Sequence, residues 1–331
     1  MRLLFKLFCF YAVFASVSCS GPTENPDDQN PGDTTKKASM PNNFNMDSAY
    51  QYVQNQVDFG PRVPNSDAHE KCAQWLKTQL QKWTDTVYVQ NFVSKNYKGE
   101  DWRGTNLVGA INPKNPDRLL LCAHWDTRPW ADQDPVNPTT PSDGASDGAS
   151  GVGVLLEIAR QLHAQKPTLG IDILFFDLED GGSNESEVTN TWCLGSQYWS
   201  KNTHIPDYKA KNGILLDMVG GRNALFAREG MSIRFDNNFL GQVWQTAATL
   251  NFGNYFINYT KDGITDDHVY ISYDAKIPTI DIIEYDPNSS SGFAKYWHTH
   301  KDNMTAIDRL TLNAVGKTVL QVVLNKDAGT F

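Results

Sequence analysis

Short, nearly unbroken apolar runs alternate along this chain with longer stretches in which apolar residues recur every three or four positions. Residues 119–123 (LLLCA), 171–176 (IDILFF), 213–219 (GILLDMV) and 279–283 (TIDII) belong to the first kind. Each is too short for an ordinary helix and almost lacks a polar face, which predicts a strand covered on both sides. Residues 66–83, 148–163, 194–201, 238–250 and 306–324 follow the second pattern and predict helices. Residues 86–93 and 106–111 add two more strands. Short apolar strands separated by helices predict an α/β fold in a single domain, with a mixed, mostly parallel central sheet flanked by helices. In such sheets ligands collect beyond the carboxyl ends of the strands.

Several of these strands end in polar side chains. The run 119–123 leads to His124 and Asp126, and 171–176 leads to Asp177, Glu179 and Asp180. The strand at 213 delivers Asp217, while 279–283 carries Asp281 and leads to Glu284. One such acid would be explained as a helix or turn cap; four strand ends on one edge describe an active-site rim. Burying carboxylates without a partner is costly, so a cation is expected among them. The candidate ligands are His124, Asp147, Asp180, Asp217 and His298, whose nitrogen and carboxylate donors suit zinc. Their separations are too long for a local motif. His69, His163 and His204 leave no strand end and are read as packing residues. Gly144-Ala145-Ser146-Asp147-Gly148 fits the nucleophile-elbow spelling, but the preceding NPTTPSD is a loop rather than a buried strand, which argues against a serine hydrolase. Its glycines are read instead as letting a helix N-terminus come close to a ligand. No Gly-Lys-Ser/Thr follows, so a P-loop is excluded.

Composition narrows the partners. With 331 residues, 40% of them apolar, the chain can bury one large core, and its net charge of −9 with no basic, aromatic-interleaved run argues against nucleic acid. Arg2 and Lys6 precede an apolar run over residues 7–17, the build of a secretory signal and too short to span a bilayer. The run closes on Ser16-Val17-Ser18-Cys19, which resembles a bacterial lipoprotein signal with Cys19 acylated; a plain cleaved signal is the alternative. Residues 20–40, rich in Pro, Asp, Asn and Thr, cannot bury a core and read as a flexible tether. The expected division is a signal at 1–19, a tether at 20–40 and a catalytic α/β domain at 41–331. The protein is then exported and lipid-anchored at the bacterial cell envelope, periplasm-facing or at the outer surface, touching a membrane only through Cys19. Cys72, Cys122 and Cys193 remain, an odd set that argues against a disulfide framework.

AHWDTRPWAD, SDGASGVGVLLEIAR, IDILFFDLED, TWCLGSQYW, LLDMVGG, TDDHVYI and YWHTHKDN together resemble the glutaminyl cyclases, in particular their bacterial branch, which shares a fold with two-zinc aminopeptidases. The similarity runs from FGPRVPNS (59–66) to the last helix. It implies one zinc per chain held by Asp147, Asp180 and His298, with Glu179 as general acid/base. It further implies that Asp217 and Asp266 form an acidic pair beside Glu179, and that Trp192, Trp297 and Asp281 belong to the substrate pocket. Asp180 stands where the animal enzymes have glutamate, and Asp281 where they have histidine. Their disulfide is absent, Cys122 being offset by one residue and Val152 occupying the partner site. The implied substrates are peptides or proteins with N-terminal glutamine, closed to pyroglutamate with loss of ammonia. A two-zinc aminopeptidase, with His124 and Asp217 on the second metal, is the competing reading. A non-catalytic surface binding protein would have no need of Glu179.

Overall fold

The computed structural model describes residues 40–183 and 189–331; the expected signal and all but the last residue of the expected tether lie outside them. The described residues fold around a six-stranded sheet. In chain order its strands are β1 (Thr86–Lys95), β2 (Asp101–Ile111), β3 (Arg118–His124), β4 (Gly170–Phe176), β5 (Asn212–Asp217) and, last, Thr279–Ile283. A short parallel pair, β6 (Phe226–Arg228) and β7 (Phe256–Thr260), forms a second sheet bridged to the first where Phe226 meets Glu284, so Thr279–Ile283 is β8. The spatial order is β1-β2-β4-β3-β5-β8. β1, β2 and β4 pair antiparallel, whereas β4, β3, β5 and β8 run parallel. The mixed, mostly parallel sheet expected from the apolar runs is the one found.

Alternation along the strands divides the core in two. Leu119, Leu121, Ile171, Ile173, Phe175, Ile214, Leu216, Ile280 and Ile282 face one side. That side is covered by α1 (Met46–Val57), α2 (Asp67–Trp83), α3 (Ala149–Gln165), α5 (Gly230–Thr249) and α7 (Arg309–Asp327). Leu120, Cys122, Leu174, Phe176 and Leu215 face a smaller core with Trp199 of α4 (Leu194–Lys201) and Ile271 of α6 (Asp267–Tyr273). The side-chain period of two puts every second residue on each face, so both faces must be apolar. Cys72, Cys122 and Cys193 are buried and unbridged.

Helix α3 has no side-chain cap; it opens on Gly148, whose φ is 98°. A Cβ there would lie 2.6 Å from Asp126 O and 3.1 Å from the His124 ring. The glycine therefore lets the loop close over the end of β3, beside Asp147 and the His124 ring.

On the smaller core, His204 packs in a cage of Trp199, Tyr208 and Tyr88 and accepts a hydrogen bond from Trp199 Nε1 at 3.3 Å. Burial penalises its charged form and lowers its pKa from 6.5 to about 4. The unfolded chain thus binds a proton between those values that the native chain rejects. Stability from this group is complete above pH 6.5 and is lost as pH falls towards 4. Urea titrations should show His204→Asn losing less stability than wild type across that window; equal losses would remove His204 from the acid response.

Candidate active site

Three buried side chains from distant parts of the chain meet beyond the carboxyl ends of β3, β4 and β5. His298 Nε2 lies 3.1 Å from Asp180 Oδ1 and 3.8 Å from Asp147 Oδ2. One donor atom from each of the three falls within a 4.8 Å group. Asp180 Oδ2 is buried with no hydrogen-bond partner. One imidazole nitrogen, two carboxylates and an orphaned buried oxygen fit a zinc ion with an open fourth position. A second group, His124, Asp147 and Asp217, shares Asp147 with the first. There His124 Nε2 lies 3.1 Å from Asp217 Oδ1 and 3.1 Å from Asp147 Oδ1.

Each donor is held from behind. Backbone N–H groups of Ser146 and Asp147 donate to Asp302 at 2.7 and 3.1 Å. Arg62, fully buried, donates to the carbonyls of Asp143 and Gly144 in the same loop. N–H groups of Glu179 and Asp180 donate to Asp126 at 3.1 and 3.2 Å. Arg128 grips Asp132 through Nε and Nη2 at 3.0 and 2.8 Å and donates to the carbonyls of Asp180 and Gly182. Asp132 Oδ1 in turn sits 3.1 Å from His298 Nδ1. A carboxylate behind a ligating histidine fixes its ring and raises its basicity. Asp177, the first acid after β4, points away from the metal donors; it pairs with His69 at 2.8 Å and accepts from Thr105 N.

The donors open onto a cavity of about 310 Å³, lined on its other sides by Glu179, Trp192, Asp217, Asp266, Phe293 and Trp297. This lies at the small end for ligand pockets, enough for one side chain and its attached backbone. Trp297 stacks on His298 at 3.7 Å and on Phe293 at 4.5 Å. Trp192 lies flat towards His298 at 6.1 Å and carries the Arg128 guanidinium at 4.6 Å. A Cβ on Gly182 would fall 2.2 Å from the Trp192 ring, so only glycine lets that wall stand.

Glu179 keeps part of its surface open to the cavity and is ringed by protein elsewhere. Burial, helped by Asp266, Asp180 and Asp267, pushes its pKa well above the usual carboxylate range, against the pull of His124. Burial and the nearby Asp217 raise Asp266 to about 7. Asp281, expected on the pocket wall, lies one layer below it: it is fully buried, outside the lining, with both carboxylate oxygens unpartnered. It is grouped there with Asp266 and His268. Asp147, Glu179, Asp180, Trp192, Asp217, Asp266, Trp297 and His298 all line the one cavity, whereas His124, the remaining expected ligand, is buried behind Asp147 and Asp217 outside the lining.

The sequence pattern of peptidase family M28 matches residues 106–323, about two thirds of the chain, and spans the second half of β2, every later strand and both sets of metal donors. This chain belongs to peptidase family M28. Among solved structures it is 51% identical to a glutaminyl cyclase from Tannerella forsythia, covering 85% of this chain and 99% of that one with a TM-score of 0.83. It is 52% identical to a Zn-dependent exopeptidase from Parabacteroides distasonis, covering 85% and 98% with a TM-score of 0.84. The glutaminyl-peptide cyclotransferase of Bos taurus is 26% identical over 297 residues, 79% of this chain and 77% of that one. The resemblance to the bacterial glutaminyl cyclases, read from the motifs, therefore stands. Zinc is the metal that the family and the donor set imply.

Proposed function

We propose that this chain is a zinc-dependent glutaminyl-peptide cyclotransferase that turns N-terminal glutamine into pyroglutamate and releases ammonia. The observation that carries this reading is the small aromatic slot of Trp192, Phe293 and Trp297, closed at its base by Asp147, Asp180, His298 and Glu179. The glutaminyl cyclases among its relatives support the same activity. When bound by Asp147, Asp180 and His298, one zinc supplies Lewis acidity towards the side-chain carbonyl oxygen and positive charge among the acids. The tryptophans and Phe293 hold the glutamine side chain flat and exclude water that would hydrolyse the amide. Asp217 and Asp266 orient the neutral α-amine at the same wall by accepting its N–H groups. The substrate's own nitrogen is the nucleophile, so much of the entropic cost of encounter is already met. Glu179 takes a proton from that nitrogen as the new carbon–nitrogen bond forms, then returns it to the departing carboxamide nitrogen. A raised proton affinity suits the second of those transfers, because the carboxamide nitrogen leaves as ammonia only once it has gained a proton.

A two-zinc aminopeptidase is the second reading, favoured by the His124–Asp147–Asp217 group and by the exopeptidase among its relatives. Incubation with a Gln-peptide followed by mass spectrometry separates the two. Loss of ammonia is expected; loss of the whole N-terminal residue would transfer the case to the aminopeptidase, and no change would leave a binding protein. Metal analysis should return close to one zinc per chain, and two would count for hydrolysis. Export and a lipid anchor on Cys19 complete the proposal. Its check is labelled-lipid incorporation that disappears in Cys19→Ala; a label that persists would leave a plain signal.

A further inference from the structure

We propose that Cys193 is the positioning residue for Glu179. A carboxylate that first removes a proton from one nitrogen and then delivers it to another must keep its orientation through both steps. Glu179 has three side-chain torsions and part of its surface in open cavity, so something has to hold it. Among the described residues, a side-chain hydrogen bond reaches its carboxylate from Cys193, whose Sγ donates to Oε1 at 3.1 Å. The same residue grips the backbone: Cys193 N–H donates to Glu179 O at 2.9 Å, and Leu194 N–H donates to Leu178 O at 3.0 Å. Two loops are thus laced together, one carrying Glu179 and the next metal donor, the other starting helix α4.

The local backbone shows that this placement is built rather than incidental. Cys193 has φ of 57° and Leu178 has φ of 58°, the left-handed region where non-glycine residues are uncommon. Cys193 stands at the N-cap of α4 yet makes no capping hydrogen bond with its side chain. The side chain turns instead to Glu179. The thiol is fully buried, and burial together with Glu179 keeps it in its protonated, donating form. Packing alone would ask for an apolar side chain of this size; the bond to a pocket carboxylate asks for a donor.

This inference rests on the proton-transfer role proposed for Glu179, and the test keeps the two apart. Steady-state kinetics on a glutaminyl peptide, with zinc content, would be measured for Cys193→Ala, Cys193→Gly and Cys193→Ser. Glycine suits the left-handed backbone, so it removes the thiol even if alanine fails to fold. Loss of the donor should lower kcat about tenfold with KM within twofold and zinc retained, the size of one ordinary hydrogen bond, as suits a weak S–H donor. Serine, which restores a donor, should recover most of that loss. In a Glu179→Gln background the glycine substitution should change the residual rate by less than twofold, because Cys193 acts only through the carboxylate. Full kcat in Cys193→Gly, failure of serine to recover activity, or an undiminished effect in the Glu179→Gln background would overturn the assignment. Unchanged turnover in Glu179→Gln alone would instead end the role of Glu179.

Discussion

Glu179→Gln is expected to lower kcat by roughly 10²–10⁴-fold, the span that a positioned acid–base group contributes. The amide has the shape of the acid and can still accept from Cys193 Sγ, so the slot and the loop stay in place. What it loses is the ability to take a proton from the α-nitrogen and hand one to the leaving group. Glu179 is not one of the three donors grouped as Asp147, Asp180 and His298, so zinc content should remain that of the wild type. KM should change little, because the glutamine side chain is held by the aromatic walls and the amine by Asp217 and Asp266. Single-turnover and steady-state rates on a Gln-peptide, with metal analysis of the same preparation, check all three statements. A variant within a few fold of wild type would take Glu179 out of the chemistry. Loss of zinc together with activity would make it a structural residue of the metal site. These rates do not distinguish cyclisation from hydrolysis, since both need a base at this position; the mass of the product does that.

Much of the fold is legible in the chain because parallel strands buried on two faces have to be apolar. β3, β4, β5 and β8 stand out for that reason. Helix α1 does not, because Ala49, Val53 and Gln56 are its buried residues and the remainder of MDSAYQYVQNQV is polar or half-exposed. The first turns of α5 are hidden because the helix breaks at Asp236, whose φ of −157° interrupts the helical period. β6 has three residues and β7 has an exposed, polar outer half, too little signal for alternation to register.

The site divides along a similar line. Residues leaving strand ends are legible from position, and the glutaminyl-cyclase motifs add Trp192, Asp266 and Trp297. The residues behind them are not, although Arg128 and Asp132 lie within AHWDTRPWAD; Asp126 is legible as a strand-end acid, but not its role of accepting the Glu179 and Asp180 N–H groups. Nothing local reveals that Arg128 reaches the carbonyls of Asp180 and Gly182, some fifty residues away. Leu178, Cys193, Met218 and His298 share a further feature hidden from sequence: each borders or supports the cavity with positive φ. Such conformations cost about 1–3 kcal/mol each and persist where surrounding contacts dictate them. The position of Asp281 does carry a signal. It sits in the middle of β8 rather than at its end, where a rim residue belongs.

Asp172→Ala should produce the largest loss of stability, roughly 3–5 kcal/mol, as when one partner of a buried ion pair is removed. Asp172 interrupts the apolar β4 and is 1% exposed. Arg118 Nε and Nη2 donate to its two oxygens at 2.7 and 2.6 Å, and Tyr208 donates to Oδ2 at 2.7 Å. Alanine would leave a guanidinium, 5% exposed, with backbone carbonyls such as Asn112 O and Asn115 O as its remaining acceptors. It would also strand the Tyr208 hydroxyl in an apolar core. Most of that loss is the penalty of an unpaired buried charge rather than the net worth of the pair. Replacing the whole group, as Arg118→Met, Asp172→Leu and Tyr208→Phe together, should therefore recover most of the stability. Urea midpoints of wild type, single and triple variants measure the difference; a single-variant loss below about 1 kcal/mol would show that water reaches the arginine. Arg118 and Asp172 sit at the amino ends of β3 and β4, across the sheet from the cavity. Folded Asp172→Ala at low temperature should accordingly keep wild-type kcat, which separates the support of the sheet from the chemistry at its other edge.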